Sequence, residues 1–224
     1  MRVVSPDLTF PLVEEDMLIN ETIIEREELF YEIVFDINEQ FAGNSGRIVF
    51  SEAGEPCSVK SVVLITDPLS VNINTRTTIS RLYKYIEAKV TSDHVPEAYY
   101  HALRTLYETI SPFCDTFYLE PGQVEDVSLS QVLSLFQMRF PDDFLNFGER
   151  IIDYLEVHRE LFGTKLFVFV QIRAFIPSVV FEDLLSSVRY GQFQVWFIES
   201  SERNKPLNTN HYRRLIVDRD GCEI

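Results

Sequence analysis

Leu166-Phe167-Val168-Phe169-Val170 is an unbroken apolar run of β-branched and aromatic residues, set between Lys165 and Gln171. A run this short and uniform is a strand covered on both faces, because a strand with one wet face alternates apolar and polar residues. Val62-Val63-Leu64-Ile65 and Val195-Trp196-Phe197-Ile198 repeat the pattern. Strands of this kind belong to a parallel sheet with helices on its faces. The chain is therefore expected to be α/β, with a mostly parallel sheet that the other segments cover, extend and interrupt.

Residues 1–12, broken by Pro6 and Pro11, predict a short edge element. After a possible strand at Thr22-Ile23-Ile24, the four-residue steps Leu29, Ile33, Ile37 and Phe41 mark an amphipathic helix, with Gly43 at its C-cap. Arg47–Phe50 and Val59–Ile65 predict strands around a Gly54-Glu55-Pro56 turn. From about residue 75 to 162 the period is helical. One face is Ile79, Leu82, Tyr83, Ile86 and Val90; a second is Tyr99, Leu103, Leu106 and Ile110, ended by Pro112. Ser128 and Gln131 have capping-box spacing ahead of Leu129, Val132, Leu133 and Phe136. Asp142 or Asp143 is placed to cap a last helix, with face Phe147, Ile151, Tyr154, Leu155 and His158, closed by Gly163. This block is too long for one crossover. It predicts a helical leg, residues 73–162, inserted in a head formed by residues 1–72 and 163–224. Ser178 is the N-cap expected for a further helix ending at Gly191. A strand at Phe193–Ile198, a polar loop and Leu215-Ile216-Val217 complete the head.

Hydrophobic residues make up 46% of the 224, enough for a real core. No apolar run approaches the roughly 18 residues of a membrane span. The start of the chain lacks a basic segment followed by an apolar one, so no signal peptide is expected. Three widely separated cysteines, Cys57, Cys114 and Cys222, without a CxxC pair predict reduced thiols in a cytoplasmic protein and no zinc site. Net charge is −15 but uneven: residues 1–57 carry 13 acids and 3 bases, residues 58–112 carry 5 acids and 6 bases. Residues 113–160 carry 10 acids and 3 bases, and residues 161–224 carry 7 acids and 8 bases. The total argues against nucleic acid, whose non-specific affinity comes from Lys and Arg. A surface field depends on local arrangement, however, and two near-neutral blocks leave room for bases on one face.

Motifs for chemistry are missing. A phosphate-binding loop needs glycines, so that N–H groups can cradle phosphate, and a Lys. None of the eight glycines precedes Lys-Ser or Lys-Thr, and Gly43-Asn44-Ser45-Gly46-Arg47 leads to a strand rather than a helix. GxGxxG, GxSxG and HExxH are absent. The four histidines are scattered; His158 is expected to be packed and His101 to lie at the surface or between helices. Asp67 and Glu199 end two predicted buried strands. If those strands are neighbours, the two could hold Mg²⁺, as a metal-dependent nuclease or divergent nucleotide hydrolase would require; capping or ion-paired acids are the plainer alternative. Glu120, Glu125 and Asp126 form an acidic inter-helix loop, suited to Ca²⁺ or simply solvated. Lys60, Arg81, Lys84, Lys89, Arg173, Arg203 and Lys205 are the bases placed to face a phosphate backbone. In a monomer they only solubilise, whereas a ring would multiply them around one opening. A third possibility is an acidic scaffold that docks a basic protein.

Leu64-Ile65-Thr66-Asp67, Leu166 to Val170, Val195-Trp196-Phe197-Ile198-Glu199 and Ile216-Val217-Asp218, in this order and spacing, resemble the small adaptation protein of subtype II-A CRISPR systems, the Csn-two family. The similarity spans nearly the whole chain and rests on strand cores rather than catalytic signatures. It implies a head similar to a P-loop kinase core without working Walker motifs, an inserted helical leg, and a homotetrameric ring. The ring is expected to bind double-stranded DNA, entered from free ends without sequence preference, and to have no catalytic activity. The implied role is spacer acquisition beside the spacer integrase and the type II RNA-guided nuclease. The resemblance implies structural calcium at Glu120, Glu125 and Asp126, a loop poorer in carboxylates than is usual for the family. It also implies a lysine-lined channel, where this chain has five Lys against fifteen Arg.

Overall fold

A computed structural model describes residues 1–92, 97–114, 127–143 and 146–224. In chain order the elements are β1 (Arg2–Val4), β2 (Ile19–Ile24), α1 (Glu27–Phe41), β3 (Val49–Glu52), β4 (Glu55–Pro56) and β5 (Val62–Ile65). They continue as α2 (Arg76–Ser92), α3 (Glu97–Cys114), α4 (Leu129–Leu135), α5 (Phe147–Phe162), β6 (Leu166–Val170), α6 (Ser178–Tyr190), β7 (Gln194–Glu199) and β8 (Tyr212–Val217).

The main sheet has the order β5-β6-β7-β2-β8, and all four pairings are parallel. A small antiparallel sheet, β1-β3-β4, lies apart from it in the pairing. Alternate residues of each main strand enter separate cores. Leu166, Val168, Val170, Trp196 and Ile198 pack with Ile33 and Ile37 of α1. Phe167, Phe169, Val195 and Phe197 pack with Ile151 and Leu155 of α5 and Phe181, Leu184 and Leu185 of α6. Helices on both faces explain why these strands read as uninterrupted apolar runs.

β2 is the strand that the sequence shows only in part. All six of its residues are buried, including Asn20, Glu21 and Thr22. Buried polar groups must find partners. Asn20 Oδ1 accepts from Glu14 N at 3.0 Å, and Thr22 Oγ1 accepts from the Trp196 indole at 2.9 Å.

Two compact units result: Met1–Ile73 with Pro141–Ile224, and Asn74–Phe140. Helix α5, placed by its period in the leg, packs with the sheet because Ile151 and Leu155 enter the core fully buried. Its N-cap is Asn146, whose Oδ1 accepts from Glu149 N at 3.0 Å, rather than Asp142 or Asp143. Gly163 closes it at φ +69, a left-handed position that favours glycine. His158 is packed between Tyr154 and Phe162, ring centroids at 4.1 and 4.8 Å, and burial lowers its pKa to about 4. Pro177 rather than Ser178 is the N-cap of α6. In the second unit α4 packs on α2, and Ser128 and Gln131 form the expected capping box. Pro112 lies inside the last turn of α3 rather than ending it. No helix among the described residues is long and apolar enough to cross a membrane.

Candidate nucleic-acid interface

In open α/β sheets ligands bind beyond the carboxyl ends of the strands, where the strand order reverses. Here the chain leaves β2 for the β5 edge and returns inward through β6 to β7, so that point lies between β2 and β7. It holds an open cleft of about 480 Å³ lined by Glu25, Arg26, Glu27, Glu28, Ser200 and Arg219, among others. Only Glu25 and Arg26 connect β2 to α1, without a glycine. Glu27 and Glu28 fill the first turn of α1. Carboxylates there complement the helix dipole and repel phosphate.

Asp67 and Glu199 do not come together as a cation site of neighbouring strands, because β6 separates β5 from β7. Asp67 caps a short turn instead, accepting from Leu69 N at 3.0 Å. Glu199 is 2% exposed and accepts from Arg173 N at 3.1 Å. Burial, reinforced by the Glu21 charge against the opposing Arg173 N–H, raises its pKa to about 7. Among the described residues no group of three or more His, Cys, Asp or Glu is arranged to hold a metal. Glu120, Glu125 and Asp126 lie outside the described residues.

Three buried charges meet on the α6 side of β2. Glu21 Oε1 accepts from Arg173 Nη1 at 2.8 Å, and Glu21 Oε2 from Arg214 Nε at 2.7 Å. The Tyr212 hydroxyl also donates to Glu21 Oε2. Burial and then the Glu21 charge push the Tyr212 pKa far above its ordinary value. The Glu21 side chain is fully buried, and Arg173 and Arg214 are 4% and 9% exposed. Arg173 also stacks over Phe181 at 4.6 Å. A buried charge is tolerated only when paired and hydrogen-bonded, as these are. Arg173, placed by the sequence among DNA contacts, is thus an interior residue: its neighbouring turn folds it back onto the sheet, and no phosphate reaches it. Local pattern could not show this, because the signal is a Glu two strands away in the sheet and 152 residues away in sequence.

The remaining bases are at the surface. In the first unit, Lys60 lies on the exposed side of a short turn, and Arg203 and Lys205 are exposed on loop 200–210. In the second unit, Arg81, Lys84 and Lys89 are exposed on α2, as is Arg76 in its first turn. Lys89 Nζ lies 5.1 Å from the Tyr85 ring centroid. The half-buried face of α2, Ile79, Leu82, Tyr83, Ile86 and Val90, is the opposite one. The single acid of α2, Glu87, turns to α4 and accepts from Ser130 Oγ at 2.7 Å. Opposite the apolar face of α2, Arg81 and Lys84, three residues apart, share one side of the helix, with Arg76 and Lys89 five residues before and after them.

No curated protein matches the chain. A family model described as CRISPR-associated protein (Cas_Csn2) matches residues 40–221, from the end of α1 past the end of β8. The matched span contains the crossover through both compact units and four of the five main strands. The chain belongs to the Cas_Csn2 family of CRISPR-associated proteins.

Proposed function

We propose that this protein is a non-catalytic, sequence-independent binder of double-stranded DNA that acts as a homotetrameric ring in CRISPR spacer acquisition. The family match carries the reading. In this reading the head is of the P-loop kinase kind without working phosphate motifs, which the acids at the β2–α1 junction support, since a phosphate site would exclude them. Four copies of the base-lined side of α2 would supply the positive field that a chain of net −15 lacks as a monomer. Calcium at Glu120, Glu125 and Asp126 would stabilise the assembly, and the protein would work in the cytoplasm.

The test is solution mass together with duplex binding, with and without Ca²⁺. A tetramer that holds short linear duplex, loses it steeply as salt rises and fails to load onto closed circular duplex is the expected result. A monomer under every condition, or equal binding to linear and circular duplex, would overturn the ring reading. Cleavage of labelled duplex or of ATP with Mg²⁺ would overturn the non-catalytic part.

A second reading concerns protein partners. The outer side of α1 presents a stacked Tyr31–Phe35 pair, centroids 5.5 Å apart, beside Glu28 and Glu32. A basic segment of the spacer integrase or the RNA-guided nuclease fits that chemistry. Loss of co-purification on Tyr31→Ala with Phe35→Ala checks it.

A further inference from the structure

Loop 200–210 joins β7 to β8 and is held by its main chain. Arg173 Nη2 donates to Asn204 O at 2.9 Å, and Arg214 Nη1 donates to Arg203 O at 3.2 Å. From α6, Arg189 donates to Asn208 O at 2.5 Å and to Asn210 O at 3.0 Å, while Glu182 accepts from Leu207 N at 2.9 Å. With these main-chain groups engaged, the side chains of Arg203 and Lys205 remain exposed. The loop is fixed while its bases face water, which is how a charged contact is pre-organised.

Both guanidiniums that hold the 203–204 turn are held in turn by one carboxylate, Glu21. We propose that Glu21 is a positioning residue for DNA binding: through Arg173 and Arg214 it sets the turn that presents Arg203 and Lys205 to a phosphate backbone. This rests on the DNA-binding reading above. Without the Glu21 charge, the desolvated guanidiniums of Arg173, in the turn after β6, and of Arg214, on β8, are left as like charges with no carboxylate between them and separate. Their separation removes the donors from Arg203 O and Asn204 O, and the turn loosens. Glu21 touches no ligand; it acts only through the two arginines.

The test uses the full-length protein and two readouts: affinity for a short labelled linear duplex, and the rate of tryptic cleavage after Arg203. Glu21→Gln removes the charge. Arg214→Lys keeps Glu21 paired but loses the fork that reaches the turn. Either variant, folded by circular dichroism, should be cut about tenfold faster than the natural protein, as a locally opened segment is. Each should also bind duplex about tenfold more weakly, matching Arg203→Ala with Lys205→Ala. Adding Arg214→Lys to that pair should cause no further loss, because the residues act in series. Unchanged cleavage in Arg214→Lys, or losses that add, would overturn the positioning role. If Glu21→Gln does not fold, Arg214→Lys decides. If the natural protein binds no duplex, the DNA-binding reading fails, and the cleavage rates still decide whether Glu21 sets the turn.

Discussion

Helices α1 and α2 have the same amphipathic construction and opposite outer charge. α1 carries five acids, Glu27, Glu28, Glu32, Asp36 and Glu39, and no base. α2 carries four bases, Arg76, Arg81, Lys84 and Lys89, and one acid, which turns toward α4. A net charge of −15 describes neither helix. The difference teaches that partner chemistry in such a chain must be argued element by element, since potential at a surface is set by nearby charges and is screened within about 8–10 Å.

The largest effect expected within this pair is on the inner side of α1. Ile37→Ala removes a fully buried side chain between α1 and the sheet and should cost about 2–5 kcal/mol in urea unfolding. Duplex affinity of the protein that remains folded should stay unchanged; a parallel loss would mean that α1 serves binding as well as packing.

Asp36 sharpens the contrast, because it is the structural member of the α1 acids. Its carboxylate accepts from Arg47 N at 2.8 Å, Ile48 N at 3.0 Å and Gln40 Nε2 at 2.9 Å. Burial works to raise its pKa, but these donors outweigh it and hold it below the usual carboxylate value of 3.8. The folded pKa being lower than the unfolded one, Asp36 stabilises the fold above that value, and the contribution is lost as pH falls through the folded pKa. Asp36→Ala should therefore cost about 1–3 kcal/mol at neutral pH. Urea midpoints of the variant and the natural protein should converge in strong acid, and a gap that persists there would remove the carboxylate charge from the explanation.

On α2 the expectation is reversed. Arg81→Glu with Lys84→Glu should weaken duplex binding about tenfold or more and lower the salt slope by roughly 2, with the oligomer intact. Glu28→Lys with Glu32→Lys on α1 should not weaken it. Equal losses from the two helices would break the comparison. The smallest effect lies behind α2: Ser128→Ala removes half of the α4 capping box and should cost about 1 kcal/mol, read as earlier thermal unfolding of the second unit.

Packing was legible in the sequence wherever both sheet faces are apolar, as at Leu166 to Val170. It was hidden at β2, where Asn20, Glu21 and Thr22 interrupt the run: Asn20 is satisfied by the nearby Glu14 main chain, but the partners of Glu21 and Thr22, namely Arg173, Arg214 and Trp196, are more than 150 residues away in sequence. The same distance misplaced Arg173: exposure of a base can be guessed from a helical period, as for Arg81 and Lys84, but not from its position after a strand. The pairing of Asp67 with Glu199 failed for want of strand order, which no local pattern encodes. The base-bearing side of α2 was legible because a helix's two faces are both written in one segment.

Trp196 is the protein's sole tryptophan, and it sits fully enclosed in the middle of the main sheet with its indole bonded to Thr22. Intrinsic indole emission is consequently a one-site optical gauge of the sheet-bearing unit. Melting of the 74–140 helices should register in far-ultraviolet dichroism while leaving that emission blue-shifted, so the two units can be followed separately without attaching a dye.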